Sequence, residues 1–292
     1  GGGLGKFDPK EIGPSDIQKN NGVIDYVAED EKGATIIAKK ILSYFQGDIK
    51  DWKADDQTQL SNIMPKDRRW SYPVRDIIKI ISDIEEFIEI KPEYGKGIVT
   101  CFIRIEGKPF GLLANDSQHL GGAIDSEGAD KASSFIEICS EYGLPLISLV
   151  DTPGFMVGPD SEKEGAVRRM SNLFKIGSKV KVPLTAIFLR KGYGLGAQAM
   201  VGGSLHEPVY TAAWPTGEFG AMGLEGAVKL GFKKELEKIE DNSEREELFN
   251  SLVEKLYDKG KAIEAAAHLE IDAVINPSET RSVILKSQKA FV

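Results

Sequence analysis

Three glycine-bearing stretches hold most of the chemistry this sequence offers. They are His119-Leu120-Gly121-Gly122-Ala123-Ile124-Asp125, Asp151-Thr152-Pro153-Gly154-Phe155 and Gly192-Tyr193-Gly194-Leu195-Gly196-Ala197. Each follows an apolar run that reads as a β-strand. Glycine lets backbone N–H groups approach an anion without interference from a Cβ. A helix that starts just beyond such a loop aims its free N–H groups and its dipole at that anion. Any one of these loops is equally well a tight turn, but three in succession point to a site. Side-chain acids and bases are scarce. His119 precedes the first loop and reads as a surface residue, while His206 and His268 have no evident partners. The carboxylates between Glu235 and Glu247 form a solvated helix face, and a GxSxG nucleophile motif is absent. The pattern points to chemistry driven by backbone stabilisation of an oxyanion, with the base supplied by another molecule.

Two nucleotide readings compete for the same loops. Asp151-Thr152-Pro153-Gly154 after a strand has the look of the magnesium-side motif of a GTPase, but that reading needs an upstream GxxxxGK[ST] loop, and none is present. Gly194-Leu195-Gly196-Ala197-Gln198-Ala199 fits the dinucleotide pattern GxGxxA, with Glu218 placed where a ribose ligand would stand. Its crossover helix would have to run through Gly202-Gly203 and stop at Pro208, which is short and glycine-rich for a helix.

The elements that must position the loops follow from periodicity and composition. The chain has 292 residues, 41% of them hydrophobic, which is enough for a substantial core. Its 37 basic and 45 acidic residues give a net charge of −8, which argues against nucleic acid or an anionic membrane as a general partner. No apolar run reaches the ~20 residues of a membrane span. Cys101 and Cys139 lie in apolar segments, so a disulfide scaffold is excluded and a reducing cytoplasm is the expected compartment. With three histidines and no HExxH or CxxC, no metal site is expected. The chain opens on Gly1-Gly2-Gly3 without a signal-peptide pattern, and we expect it to be a fragment of a longer polypeptide.

Residues 1–21 read as loop, Gly22–Ala28 as a short strand and Glu31–Phe45 as a helix ending near Gly47. Residues 48–75 are polar, carry scattered aromatics, and read as a linker. Ile77, Ile80, Ile81, Ile84 and Ile88 mark a helix, followed by strands at Gly97–Ile105 and Phe110–Ala114. A helix follows at Ser126–Tyr142. Apolar strands at Leu146–Val150, Leu184–Leu189 and Val209–Trp214 are separated by helices at Glu162–Val180 and Gly196–Gly202. The tail reads as helix over Lys233–Leu269, strand over Asp272–Ile275 and helix over Glu279–Phe291. Repeated strand–loop–helix units predict an α/β fold with a mainly parallel sheet.

Several of these segments resemble the carboxyltransferase (β) subunits of biotin-dependent acyl-CoA carboxylases, with the propionyl-CoA carboxylase β chain as type. They are Phe110–Asn115, Gly121–Asp125, Asp130–Ala132, Val150–Gly158, Leu189–Met200, Ala213–Gly217 and Met222–Ala227, in matching order over about residues 75–292. The resemblance implies a crotonase-like fold. It implies that residues 76–292 form the C-terminal carboxyltransferase domain, 48–75 a linker and 1–47 the end of an N-terminal domain whose acyl-CoA loops are missing. An isolated fragment of this kind would be inactive.

The implied reaction moves a carboxyl group from carboxybiotin, borne on a separate carrier protein, to the α-carbon of a short-chain acyl-CoA. Carboxybiotin first loses CO2, its nitrogen then takes the α-proton of the acyl-CoA, and the resulting enolate captures the CO2, so no side-chain base is needed. By the same resemblance, the Leu195 and Gly196 N–H groups stabilise the biotin ureido oxygen, and Gly122 and Ala123 support that pocket. Gly121, Asp151, Gly154, Phe155 and Gly194 line it, and Gln198 touches the acyl substrate. Arg190 and Lys191 read as solvated strand-end charges or, as the second reading, as phosphate contacts. The implied partners are a biotin carboxylase, a biotinyl carrier subunit and further copies of the chain, as a dimer or trimer of dimers, in a bacterial cytoplasm. Trp70, Tyr72 and Trp214 are candidates to cover an interface. The α subunit of a biotin-dependent decarboxylase, or a stand-alone crotonase-type hydratase or isomerase, would share the pattern.

Overall fold

The computed structural model describes residue 3 and residues 5–289. Helices α1 (Ser15–Asn20), α2 (Glu31–Ser43) and α3 (Val74–Ile81) precede the sheet. Strands β1 (Phe87–Ile90), β2 (Ile98–Ile105) and β3 (Lys108–Asn115) lead to α4 (Ser126–Glu141). Then follow β4 (Leu146–Thr152), α5 (Pro159–Lys163), α6 (Ala166–Gly177), β5 (Leu184–Tyr193) and α7 (Gly194–Met200). After β6 (Tyr210–Ala213) and β7 (Glu218–Gly220) come α8 (Leu224–Gly231), α9 (Lys233–Glu237), α10 (Asn242–Gly260) and α11 (Ala262–Ala267). Strand β8 (Ala273–Val274) and helix α12 (Thr280–Lys289) close the described chain.

The strands form one sheet in the order β1-β2-β3-β4-β5-β6-β8, with β7 paired to β5. β1, β2 and β3 are antiparallel, and every later pairing is parallel. Both faces are covered, which explains why β2 and β4 are buried at every residue. Alternate residues serve opposite cores. Phe102 of β2 packs with Phe135 of α4 and shares a core with Phe188 of β5, whereas Val99, Cys101 and Ile103 share the opposite core with α3 and with Ile284 of α12. The core helices are capped by their own sequence. Asp125 accepts the Gly128 N–H at the start of α4, at 2.7 Å.

The expected parallel α/β plan holds, and several local expectations do not. No strand forms over residues 22–28, where Val23 and Val27 are exposed. The isoleucine periodicity from Ile77 does not continue as one helix. α3 stops at Ile81 because Asp83 turns inward to accept the Glu106 and Gly107 N–H groups and to pair with Arg281, and Ile88 then enters β1. The Glu162–Val180 helix is split at Gly165, whose φ of +69° is left-handed. Residues 48–75 are packed onto the sheet. Leu60 lies on a 3₁₀ turn at Gln57–Asn62, and it and Tyr72 are buried in the same core as β2 and β4. Tyr72 and Trp214 are therefore core residues, not interface aromatics, with the Trp214 indole N–H donating to Thr280 Oγ1 at 2.9 Å. Trp70 is 69% exposed. The end of the expected last helix, including Phe291, lies outside the described residues.

Candidate active site

The three glycine loops emerge from the carboxyl ends of β3, β4 and β5, which are neighbours in the sheet. Their backbones are in contact. Gly122 has a φ of +90°, and a Cβ there would stand 2.3 Å from the Asp151 carbonyl oxygen. The first loop then pairs with the second: Ile124 donates its N–H to Gly154 O at 3.0 Å, and Met156 donates to Ile124 O at 2.8 Å. The third loop presses on the same glycine, since a Cβ on Gly196 would lie 2.7 Å from the Cα and carbonyl carbon of Gly154. Glycine is required at Gly122 and Gly196 because backbone occupies the space a side chain would fill.

The N–H groups divide into two sets. Gly122 and Ala123 donate within their own turn, to His119 O at 2.9 Å and Leu120 O at 3.1 Å. They shape the wall and are not free to bind an anion. At the start of α7, no side chain caps the first turn. Leu195 there is 63% exposed and Gly196 is buried against Gly154. This turn is where an oxyanion can be held.

Behind the loops lies a charged layer that the sequence reading did not assign. Asp151 is fully buried, and its carboxylate accepts from Arg190 Nη2 at 2.9 Å and from the Lys191 N–H at 3.0 Å. Arg190 is buried too, not a solvated strand-end charge. Its guanidinium lies 5.0 Å from the Tyr72 ring centroid and donates to the carbonyls of Arg68 and Trp70. Burial pushes the Tyr72 hydroxyl well above the ordinary tyrosine range. Lys191 reaches across to the Gly121 carbonyl, and burial lowers its pKa. Beside them, Glu218 on β7 is buried next to Tyr193, with Arg68 Nη1 at 3.7 Å, and burial raises its pKa. The signal for this layer was available: Arg190 and Lys191 interrupt an otherwise apolar strand immediately before a glycine loop.

The remaining candidates separate cleanly. Phe155 is half-buried against the core, 6.2 Å from the Phe174 ring. Gln198 is exposed and lines a cavity of about 410 Å³ together with Gly194, Ala197, Phe219, Lys259 and His268. His119 stands apart, 3.7 Å from Asp125. The dinucleotide arrangement is not formed: α7 has seven residues, and Glu218 is sealed beneath the loops.

Residues 8–292 match the family described as carboxyl transferase domain. The chain belongs to this carboxyl transferase family. It is 34% identical over 284 residues to the methylmalonyl-CoA carboxyltransferase 12S subunit of Propionibacterium freudenreichii subsp. shermanii, covering 93% of this chain and 53% of the relative. It is 28% identical over 288 residues to the propionyl-CoA carboxylase beta chain of Saccharopolyspora erythraea, covering 92% and 53%. The chain thus spans about half the length of these relatives. Among solved structures, a single-chain, multi-domain long-chain acyl-CoA carboxylase superposes with a TM-score of 0.91 at 50% identity, covering 98% of this chain and 29% of that one. A transcarboxylase 12S structure, described as a hexamer with methylmalonyl-CoA bound, gives 0.87 at 30%, covering 98% and 56%. The carboxyl transferase chain has the crotonase-like fold of these domains.

Proposed function

We propose that this chain is the carboxybiotin-receiving part of a biotin-dependent acyl-CoA carboxyltransferase. The observation that carries the reading is the uncapped first turn of α7, held in place by a backbone contact with Gly154 too close for any Cβ on Gly196. A cradle of backbone N–H groups fixed in this way suits a flat, uncharged ring whose oxygen accepts from backbone. Carboxybiotin, when bound, supplies the carboxyl group, and the ring belongs to a separate carrier protein. The Leu195 and Gly196 N–H groups hold the ureido oxygen. Gly122, Ala123 and Gly154 keep the walls close, and Gly121, Gly194 and Phe155 complete the lining. Asp151 fixes the ends of β4 and β5. Gln198 faces the acyl substrate from the adjoining cavity. The absence of a side-chain base among these residues agrees with a reaction in which this chain orients and stabilises rather than moves protons.

On this reading, residues 76–292 carry the C-terminal carboxyltransferase domain and 1–47 the end of a preceding one. Residues 48–75 lie between them and pack on the later domain. The partners are a biotin carboxylase, a biotinyl carrier and further copies of the chain in a bacterial cytoplasm. The acyl-CoA is short, propionyl- or acetyl-CoA. The α subunit of an acyl-CoA decarboxylase would use the same cradle.

Gly196→Pro in the assembled enzyme tests the cradle, because it deletes one donor. Loss of one such donor costs ~2.7–4 kcal/mol of transition-state stabilisation, or about 10²–10³ in rate. Transfer from carboxybiotin within fivefold of wild type would remove the oxyanion role from this turn.

A further inference from the structure

Lys191 has no part in the reading above, yet its side chain joins the third glycine loop to the first. Its backbone sits in β5, its ammonium donates to the Gly121 carbonyl, and the side chain is 17% exposed. The loop it grips is conformationally demanding. Leu120, Gly121 and Gly122 have φ values of +49°, +63° and +90°. Two adjacent glycines have little intrinsic preference for such a shape, so contacts from outside must hold it. Gly122 is fixed sterically by Asp151, and the Gly121 peptide is fixed by Lys191.

Charge anchors the tether from behind. Asp151 Oδ1 lies 3.9 Å from the Lys191 ammonium and accepts the Lys191 N–H, and Glu218, also buried, stands in register with Lys191 across β5 and β7. Two buried carboxylates thus flank the strand position of Lys191, with Arg190 paired to the first at 2.9 Å and Arg68 Nη1 3.7 Å from the second.

We propose that Lys191 is a positioning residue for the carboxybiotin pocket. Its tether to Gly121 holds the first glycine loop at the spacing from the Leu195–Gly196 turn that admits a cyclic urea. The inference rests on the carboxybiotin reading of that turn.

The test uses this chain and biotin methyl ester as the probe, followed by backbone amide spectra. In the wild type, the probe shifts the Leu195 and Gly196 amides. Lys191→Met weakens that binding at least tenfold. It also speeds hydrogen exchange at Gly122 and Ala123, while Gly128, held by Asp125, keeps its protection. Lys191→Arg restores affinity to within threefold. Should Lys191→Met melt the chain, Lys191→Gln, polar but too short to reach the Gly121 carbonyl, takes its place with the same tenfold loss. Wild-type shifts with unchanged affinity in the Met or Gln variant overturn the role of Lys191 and leave the carboxybiotin reading standing. Wild-type spectra in which neither Leu195 nor Gly196 responds overturn that reading and the inference with it.

Discussion

Gly196→Ala separates position from donor count at the cradle. Alanine keeps the N–H that proline would delete, so any loss must come from displacement. The added Cβ would lie 2.7 Å from Gly154 Cα and its carbonyl carbon, and 2.9 Å from Phe155 N. Carbon–carbon contacts settle near ~3.5 Å, so α7 and the second loop must part by roughly 0.8 Å. These are backbone atoms that cannot rotate aside, and overpacking of this kind costs ~1–3 kcal/mol. For a chain of this size, each kcal/mol is worth about 2–4 °C in Tm, so melting falls by several degrees. A misplacement near 1 Å costs on the order of 10²-fold in rate, and we expect a 10- to 100-fold lower transfer rate in the assembled enzyme. Gly226→Ala is the control. Nothing lies within 4 Å of that Cβ, and the residue sits inside α8. Alanine there should stabilise the chain by roughly 0.5–1 kcal/mol and leave transfer unchanged. Thermal melts and single-turnover carboxyl transfer read both effects. A Gly196→Ala enzyme that melts several degrees lower yet transfers within threefold of wild type would refute the link between loop spacing and catalysis.

The other expectations concern the charged layer and the isolated chain. Arg190→Met leaves Asp151 buried and without its guanidinium partner, and breaking such a pair costs ~3–5 kcal/mol; chemical denaturation should show it, and a loss under 1 kcal/mol would contradict the burial. Lys131 on α4 is 2% exposed, and burial lowers its pKa to about 8. Between that value and the ordinary 10.5, the unfolded chain binds more protons, so stability rises with pH across this window. Lys131→Met should therefore stabilise the chain at pH 7 by up to ~3 kcal/mol, an advantage that shrinks toward pH 10.5; equal stability at pH 7 would show that the ammonium carries no burial penalty. The chain alone, given carrier protein, biotin carboxylase, ATP, bicarbonate and propionyl-CoA, should form no carboxylated product, and robust turnover would sink the two-part account. Micromolar NADH binding without a response to biotin would restore the dinucleotide reading.

The sheet was legible because burial on both faces forces long apolar runs, and β2 to β6 are such runs. What escaped were elements set by distant partners. Ile84 and Ile88 continue the spacing of α3, so periodicity extends the helix to them. The chain leaves the helix because Asp83 finds the Glu106 and Gly107 N–H groups about twenty residues later. β7 is three residues long and carries Glu218, a residue disfavoured in strands. It is a strand because it has Lys191–Tyr193 to pair with. Residues 48–75 look like a linker by composition, yet Leu60, Tyr72 and Val74, with Ile63 and Met64 partly buried beside them, fasten them to the sheet.

The site divides along the same line. Glycine positions can be read from sequence, because a backbone that approaches another backbone to within 2.3–2.7 Å of where a Cβ would stand tolerates nothing else, as at Gly122 and Gly196. Which N–H groups are free cannot be read that way. Gly122-Ala123 and Leu195-Gly196 look alike as strings, but the first pair spends its donors on His119 and Leu120 while the second begins an uncapped helix. The charged layer was misjudged for a related reason. An arginine and a lysine at a strand end usually reach water. Here Tyr72 arrives from a segment more than a hundred residues earlier and supplies a ring for Arg190 to stack on, and Arg68 and Trp70 supply the carbonyls it bonds. Three glycine loops thus pack into one rim over charges that a non-local segment seals from beneath. A site that relies on backbone donors gains from such packing, because a donor that must first be ordered contributes less to the transition state than one already in place.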